Sequence, residues 1–369
     1  MKYLAKFFKY KPDGGTKSDR WLMGIIVVLA LFGVLMVYDS SVAIAIRDFG
    51  DQYYYAREQL KWLLLGMIAL VTLSRVDYRL WRQFALPSIL VTMALLVAVF
   101  IPGFGVRALG AHRWLNFGVF ILQPAELAKL VLVLYLAAWF SAREKDRFGA
   151  FLLLCGIIFG LVIIEPDLGT GIVIICTALI MYFLSGAPIR HFAFLLPILI
   201  IGVTILAVTS PYRFRRLTTF LDTKSDPLGA SYQIRQVLLS LGSGGLTGIG
   251  IGKSRQKYEY LPESNTDSIF AIIGEETGFV GATLVVMVYA FFVWRIFWVG
   301  SQVANSFGKL FAFGIGAWVG VQSILNIGAM TALLPLTGIP LPLLSYGGSS
   351  LVILLAASGI VLNISKHRS

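Results

Sequence analysis

The stretch 267–294 reads DSIFAIIGEETGFVGATLVVMVYAFFVW, and its reading decides the fold. From Ile269 onward it stays apolar for longer than the roughly 20 residues a helix needs to cross a bilayer. Yet Asp267 stands at its mouth, and Glu275 and Glu276 follow two to three turns inside. Asp267 alone reads as a helix N-cap, a position that favours Asp. A cap does not account for two further acids, because ionisable groups in a membrane helix are expensive and tend to mark a site. Glu275 falls roughly on the face of Asp267, whereas Glu276 is turned by about another 100°.

The rest of the chain agrees with a membrane reading. Of 369 residues, 57% are hydrophobic and 14% charged, and the mean hydropathy is +0.81. Soluble domains carry about 25% charged residues, so a soluble enzyme, a disordered chain and a secreted disulfide scaffold are excluded. Apolar runs near 21–38, 59–74, 82–101, 119–140, 148–164, 168–185, 190–209, 268–294, 308–330 and 346–364 predict ten spans. Glu165-Pro166-Asp167 splits the fifth from the sixth, which predicts a tight hairpin there. The expected fold class is therefore all-α: a polytopic membrane protein of about ten transmembrane helices, forming a single domain over 1–369. Residues 1–20 are expected as a cytoplasmic tail, and 210–267 as a large extracytoplasmic loop between spans seven and eight.

Charge supplies the orientation. The net charge is +12, from 31 Lys+Arg against 19 Asp+Glu. Seventeen of the basic residues fall on the side of the termini and five in the short loops opposite. By the positive-inside rule both termini are cytoplasmic. Lys129 lies within a span, and the other eight crowd into 210–267. Loops longer than about 12–15 residues are usually functional or disordered. This one holds Tyr212, Phe214, Tyr232, Tyr258 and Tyr260, so order is expected, with short helices such as 231–241.

Metal and redox chemistry find little support. Cys155 and Cys176 sit in apolar runs, and His112, His191 and His367 are scattered. The glycine run from Gly242 to Gly252, followed by Lys253-Ser254, does not make a phosphate loop, since Thr247 stands where one needs glycine. A tightly turning backbone and a main-chain lining for a polar ligand remain equally open there.

Four sets of polar residues point to an anionic lipid substrate. Glu126 and Lys129, spaced i, i+3, share a helix face and can pair. Arg113, beside Trp114, suits an anionic headgroup or simply snorkels. Arg213, Arg215, Arg216, Arg235, Lys253, Arg255 and Lys257 are the side chains that a phosphate or pyrophosphate requires. Asp267 completes the group as a potential general base. An attraction to anionic lipid headgroups would explain the same cations more simply.

Longer motifs carry a family resemblance. Tyr232-Gln-Ile-Arg-Gln236, Gly244-Gly245-Leu-Thr-Gly248-Ile-Gly250-Ile-Gly252, Thr266-Asp267-Ser-Ile-Phe270 and Glu275-Glu276-Thr-Gly278 resemble the signature of the SEDS family (shape, elongation, division and sporulation). So do Arg113-Trp114, Gln123-Pro124-Ala-Glu126-Leu-Ala-Lys129, Pro166-Asp167-Leu-Gly169-Thr170 and the segment Pro335 to Ser350, which holds Ser345. The likeness runs from the first span to the last. It is nearest to the division branch, through Asn305-Ser-Phe-Gly-Lys309, Asn326-Ile-Gly and Asp39-Ser-Ser41, with the elongation and sporulation branches open. Asn265 stands where the family commonly has His, Ser268 where it has Phe, Ala125 where it has Ser and Glu165 where it has Gln.

The resemblance implies a peptidoglycan glycan-strand polymerase of the bacterial inner membrane, its active site facing outward. Lipid II would serve as donor and acceptor, Asp267 as catalytic base, with inversion and release of undecaprenyl pyrophosphate. Arg113, Glu126, Lys129, Arg213, Arg216, Gln233, Arg235, Lys253, Lys257, Glu275 and Ser345 are the implied substrate-binding residues. A class B penicillin-binding protein, a transpeptidase, is the implied partner, alongside other proteins of division or elongation; nucleic acid is not expected. The resemblance fixes no particular cofactor, although magnesium or manganese would suit the pyrophosphate. A lipid II flippase and a non-catalytic division scaffold are the competing readings.

Overall fold

Each of the ten apolar runs forms one helix. The computed structural model describes residues 17–108, 111–118, 120–142, 147–209, 211–221, 230–258 and 260–368. The first seven helices are α1 (Arg20–Phe49), α2 (Tyr54–Arg75), α3 (Trp81–Ala98), α4 (Pro124–Phe140), α5 (Phe148–Ile164), α6 (Leu168–Leu184) and α7 (Ile189–Thr209). Two more, α8 (Pro211–Leu221) and α9 (Ala230–Gly244), lie in the long segment, where a helix over 231–241 was expected. The last three are α10 (Ile269–Ser301), α11 (Ser306–Met330) and α12 (Gly348–Ile364). Among the described residues, six helices are long and apolar enough to cross a membrane, and α5 and α6 are shorter apolar helices. Most of the predicted tail, residues 1–16, lies outside the described residues.

Two features depart from expectation. The chain is not purely helical: Gly105–Ala108 (β1), Ala111–Asn116 (β2) and Ile121–Leu122 (β3) form an antiparallel sheet in the order β1-β2-β3. Val106 faces Trp114 and Leu115 faces Leu122 in its register. The strands have two to six residues, too short for a period-2 pattern to stand out beside apolar runs. The second departure is α1, which continues well past residue 38 to 30 residues in all. At 1.5 Å per residue that is about 45 Å, more than the ~30 Å of a hydrocarbon core, so Asp39-Ser40-Ser41 reaches the long segment.

Small residues set the helix spacing, as is usual where helices pack in lipid. A Cβ on Gly359 of α12 would lie 2.6 Å from the Leu70 carbonyl of α2, and one on Gly66 would lie 2.5 Å from Leu355 Cδ1. At one end of the bundle Asp19 caps α1 by accepting from Leu22 N–H at 2.9 Å. The same carboxylate pairs with Arg295 of α10 at 2.7 Å and with Arg368 at 3.0 Å. Arg295 lies 4.0 Å over the Trp298 ring.

α10 is broken at Gly278, whose φ of 67° and ψ of −168° are not helical. The glycine run mends the break. Ile249 and Gly250 donate their N–H groups to the Glu275 and Glu276 carbonyls at 3.1 and 3.0 Å, while Phe279 and Val280 donate to the Gly245 and Leu246 carbonyls at 2.9 and 3.1 Å. Of the two openings left by the sequence, the tight backbone turn is therefore the structural role of this run. Gly248 sits at φ 82°, where a Cβ would lie on the Glu276 carbonyl. Gly248→Ala should accordingly cost at least about 2 kcal/mol. Gly242→Ala is the control, since nothing stands within 4 Å of its Cβ position. Thermal unfolding of the two variants in detergent reads the difference.

Candidate active site

Asp267 lies just ahead of α10, in a loop held from two sides. Asn326 of α11 donates through Nδ2 to the Asp267 carbonyl at 2.8 Å and to the Ile339 carbonyl at 2.7 Å. Ser345 Oγ donates to the Thr266 carbonyl at 2.6 Å, and Tyr346 N–H donates to the Asn265 carbonyl at 2.9 Å. The α10 N-cap is Ser268, which makes no side-chain cap bond, so Asp267 is not spent on capping.

Its carboxyl faces the backbone of Gly338, which has a φ of 71°. A Cβ built there would stand 3.4 Å from Asp267 Oδ2 and 3.3 Å from Arg216 Nη1. Acid and guanidinium thus converge on one spot, where a Cβ would crowd Arg216 and touch Asp267 at a φ that side chains rarely adopt. Arg216 is steadied there by donating through Nη1 to the Leu336 carbonyl at 3.1 Å. Burial first, then the negative charges of Glu263 and Asp167, push Asp267 up to about 7, while Arg216 and Arg113 pull it down. A carboxyl with that pKa is matched to general base work near neutral pH. Gly338→Ala should crowd Arg216, strain the loop at its positive φ and lower turnover at least tenfold, by roughly 1.4 kcal/mol in barrier; steady-state rates beside a melting curve check it.

Glu126 and Lys129 pair as their spacing implied, at 2.7 Å with both side chains almost wholly buried. Lys129 also donates to Gln322 Oε1 at 2.9 Å and lies 5.1 Å over the Trp318 ring. Gln322 donates in turn to the Pro340 carbonyl at 2.8 Å. The pair therefore braces the loop that carries Gly338. Trp318 and Gln322 escaped the sequence reading, and Asn326 entered it only as part of a branch motif, although polar groups four residues apart in an apolar run were the available signal. Lys129→Met leaves Glu126 buried without its cation, and a loss of about 3–5 kcal/mol is expected in a thermal melt. A double variant with Glu126→Gln should recover most of it.

Several residues expected on the substrate are engaged inside the protein instead. Lys257 is buried and pairs with Asp39 at 2.7 Å and Glu276 at 3.2 Å. Glu275 does not point toward Asp267; it accepts from Ser240 Oγ at 3.2 Å and from Arg255 N–H at 3.1 Å, holding α9 to the glycine run and the residues after it, a strap from Gly245 to Arg255. Helix periodicity placed it on the face of Asp267, but Asp267 precedes the helix, so the periodicity did not apply. Ser345 is 6% exposed, and its hydroxyl is used by Thr266 and by Leu341 N–H. Arg113 donates to the Glu165 and Pro166 carbonyls at 3.1 and 2.7 Å, and stands near enough to Asp267 to act on its charge. Gln233 of α9 donates to Ser268 Oγ at 3.3 Å. Arg235 is half-buried on α9, and Lys253 is exposed on the strap. The Arg213 side chain and Lys224 lie outside the described residues.

Among the described residues no three His, Cys, Asp or Glu side chains gather so as to hold a metal ion. A magnesium or manganese ion would thus find no more than two such side chains together among these residues, and most of its ligands would be pyrophosphate oxygens and water.

A bundle of apolar helices with a poised carboxyl at the mouth of a broken one defines the class, a polytopic membrane protein with a candidate acid–base site. The family model for FtsW/RodA/SpoVE, described as "Cell cycle protein", matches residues 20–369. The chain belongs to this family, the SEDS proteins. It is 40% identical over 359 residues to stage V sporulation protein E of Bacillus subtilis (strain 168), covering 95% of this chain and 98% of that one. It is 37% identical over 355 residues to a probable peptidoglycan glycosyltransferase FtsW of Geobacter sp. (strain M18), covering 95% and 97%. A chain from a peptidoglycan synthase complex, solved for its coordination of polymerization and crosslinking, superposes with a TM-score of 0.79 at 28% identity, covering 95% of this chain and 98% of that one. The rod shape determining protein RodA of Thermus thermophilus superposes with a TM-score of 0.71 at 28% identity, covering 95% and 97%.

Proposed function

We propose that this protein polymerises peptidoglycan glycan strands from lipid II, with Asp267 as general base. The observation that carries the reading is the meeting of a carboxyl raised to about 7 with the Arg216 guanidinium at Gly338. Asp267 takes the proton of the acceptor's N-acetylglucosamine 4-hydroxyl. That oxygen bonds to the anomeric carbon of the donor's N-acetylmuramic acid as the bond to undecaprenyl pyrophosphate breaks. An α-linked donor gives a β-1,4 product, so the reaction inverts. One carboxylate is enough, because pyrophosphate departs without the second acid that a glycosidase needs. Arg216 and Arg113, the two cations that act on Asp267, offset the charge that develops on the leaving group. Lys253, Arg213 and Arg235 lie along the same segment, where they favour approach of the anionic headgroup.

In this reading all ten apolar helices cross the bacterial inner membrane, with both termini in the cytoplasm and Asp267 outside. The excess of basic residues on the side of the termini supports that orientation. A class B penicillin-binding protein is the partner, in keeping with the synthase complex whose chain this one resembles. The test is purified protein with that partner and labelled lipid II, followed in parallel for polymer and, in liposomes, for lipid II movement between leaflets. Polymer without movement is expected. Movement without polymer would make the protein a flippase, and neither would leave it a scaffold.

A further inference from the structure

Glu165 ends α5 and has 0% exposure, yet among the described residues neither of its carboxyl oxygens has a hydrogen-bond partner. The nearby guanidinium does not serve it. Arg113 of β2 spends Nε and Nη2 on the backbone carbonyls of Glu165 and Pro166. The charged groups that face the carboxyl are this Arg113 and Asp167, which caps α6 by accepting from Thr170 N–H at 3.0 Å. The same two residues act on the charge of Asp267.

A carboxyl deprived of both water and donors is favoured only in its neutral form. Burial first, then Asp167, raises Glu165 to about 8, against the pull of Arg113. Were it ionised, it would compete for the guanidinium, drawing Arg113 off the two carbonyls and setting a second negative charge beside Asp167.

We propose that Glu165 is a positioning residue that works as an uncharged acid, leaving Arg113 on the Glu165 and Pro166 carbonyls and so holding that cation and Asp167 in place beside Asp267. The proposal rests on Asp267 being the base. It gives the reaction a narrow bell: an acid limb from Asp267 near 7 and an alkaline limb from Glu165 near 8.

Wild type, Glu165→Gln and Glu165→Ala, each with the partner and lipid II, are compared across pH. Near neutrality Glu165→Ala is expected to lose about tenfold in rate, and Glu165→Gln to restore it to within about twofold. The alkaline limb of the wild type should vanish in Glu165→Gln while the acid limb stays. A Gln variant that keeps the alkaline limb, or is as impaired as the Ala variant, overturns the proposal. In an Asp267→Asn background, which removes the other neutral acid of the site, the infrared band of a protonated carboxylic acid near neutral pH should be present with Glu165 and lost with Glu165→Gln, without any turnover; a spectrum that Glu165→Gln leaves unchanged overturns the proposal as well. If no protein forms polymer, the reading of Asp267 as base fails, and the infrared band alone decides Glu165.

Discussion

Asp267→Asn should abolish polymer formation while the protein stays folded. A positioned general base contributes about 10²–10⁴-fold, and an amide of the same shape removes the basic lone pair but keeps the clamped loop. The bonds from Asn326, Ser345 and Tyr346 all go to backbone atoms of the Asn265–Asp267 stretch, so the substitution leaves them intact. Stability should move the other way. Burial and neighbouring acids raise the Asp267 pKa from 3.8 to about 7. The folded state therefore holds a proton that the unfolded state releases, and stability falls as pH rises between those values. Asn has no such titration. The variant is expected to melt higher than wild type at neutral pH, by an amount that shrinks toward pH 4. Loss of polymer with a raised melting temperature would separate catalysis from folding in one preparation.

Lys257→Met should destabilise the protein at least as much as Lys129→Met. The ammonium joins Asp39 of α1 to Glu276 of α10, with the three side chains all but sealed from solvent. The ammonium bonds Asp39 Oδ1 and Glu276 Oε1, while Asp39 Oδ2 and Glu276 Oε2 have no hydrogen-bond partner among the described residues. Removing the cation strands two buried carboxylates, and breaking such a pair costs about 3–5 kcal/mol. Glu276 also accepts from Ser254 N–H at 3.0 Å, so its displacement loosens the strap that mends α10. Turnover should fall together with stability, because Asp267 stands at the head of that helix. Combining Lys257→Met with Asp39→Asn and Glu276→Gln should restore most of the stability, since a neutral replacement of a buried ionic cluster is often no worse than the cluster. Lys257→Met as stable as wild type in a melt would show that the cluster holds nothing together.

The helices were legible because length and apolarity are local properties, and each predicted run became one helix. The Glu126–Lys129 pair was legible for the same reason, since an i, i+3 spacing on one helix suffices. Lys257 was misread because its Asp39 partner lies 218 positions away in sequence, so its basic neighbours in the chain suggested a phosphate site. Glu275 was misplaced by applying helix periodicity across Asp267, which stands outside the helix. The glycine run could not be resolved from sequence, because its bonds join main chain to main chain across the break at Gly278. Asp267 itself was visible as an acid at the mouth of a span. Its convergence with Arg216 on Gly338 needed three segments brought together by the fold.

The rate of lipid II polymerisation by the wild-type protein with its partner, followed from acid to neutral pH, tests the role of Asp267 most directly. If the carboxylate is the base, the rate rises through about pH 7 as Asp267 ionises, and Asp267→Asn shows neither the limb nor the rate. A rate independent of pH in that range, or an Asp267→Asn protein that makes polymer at the wild-type rate, would contradict it.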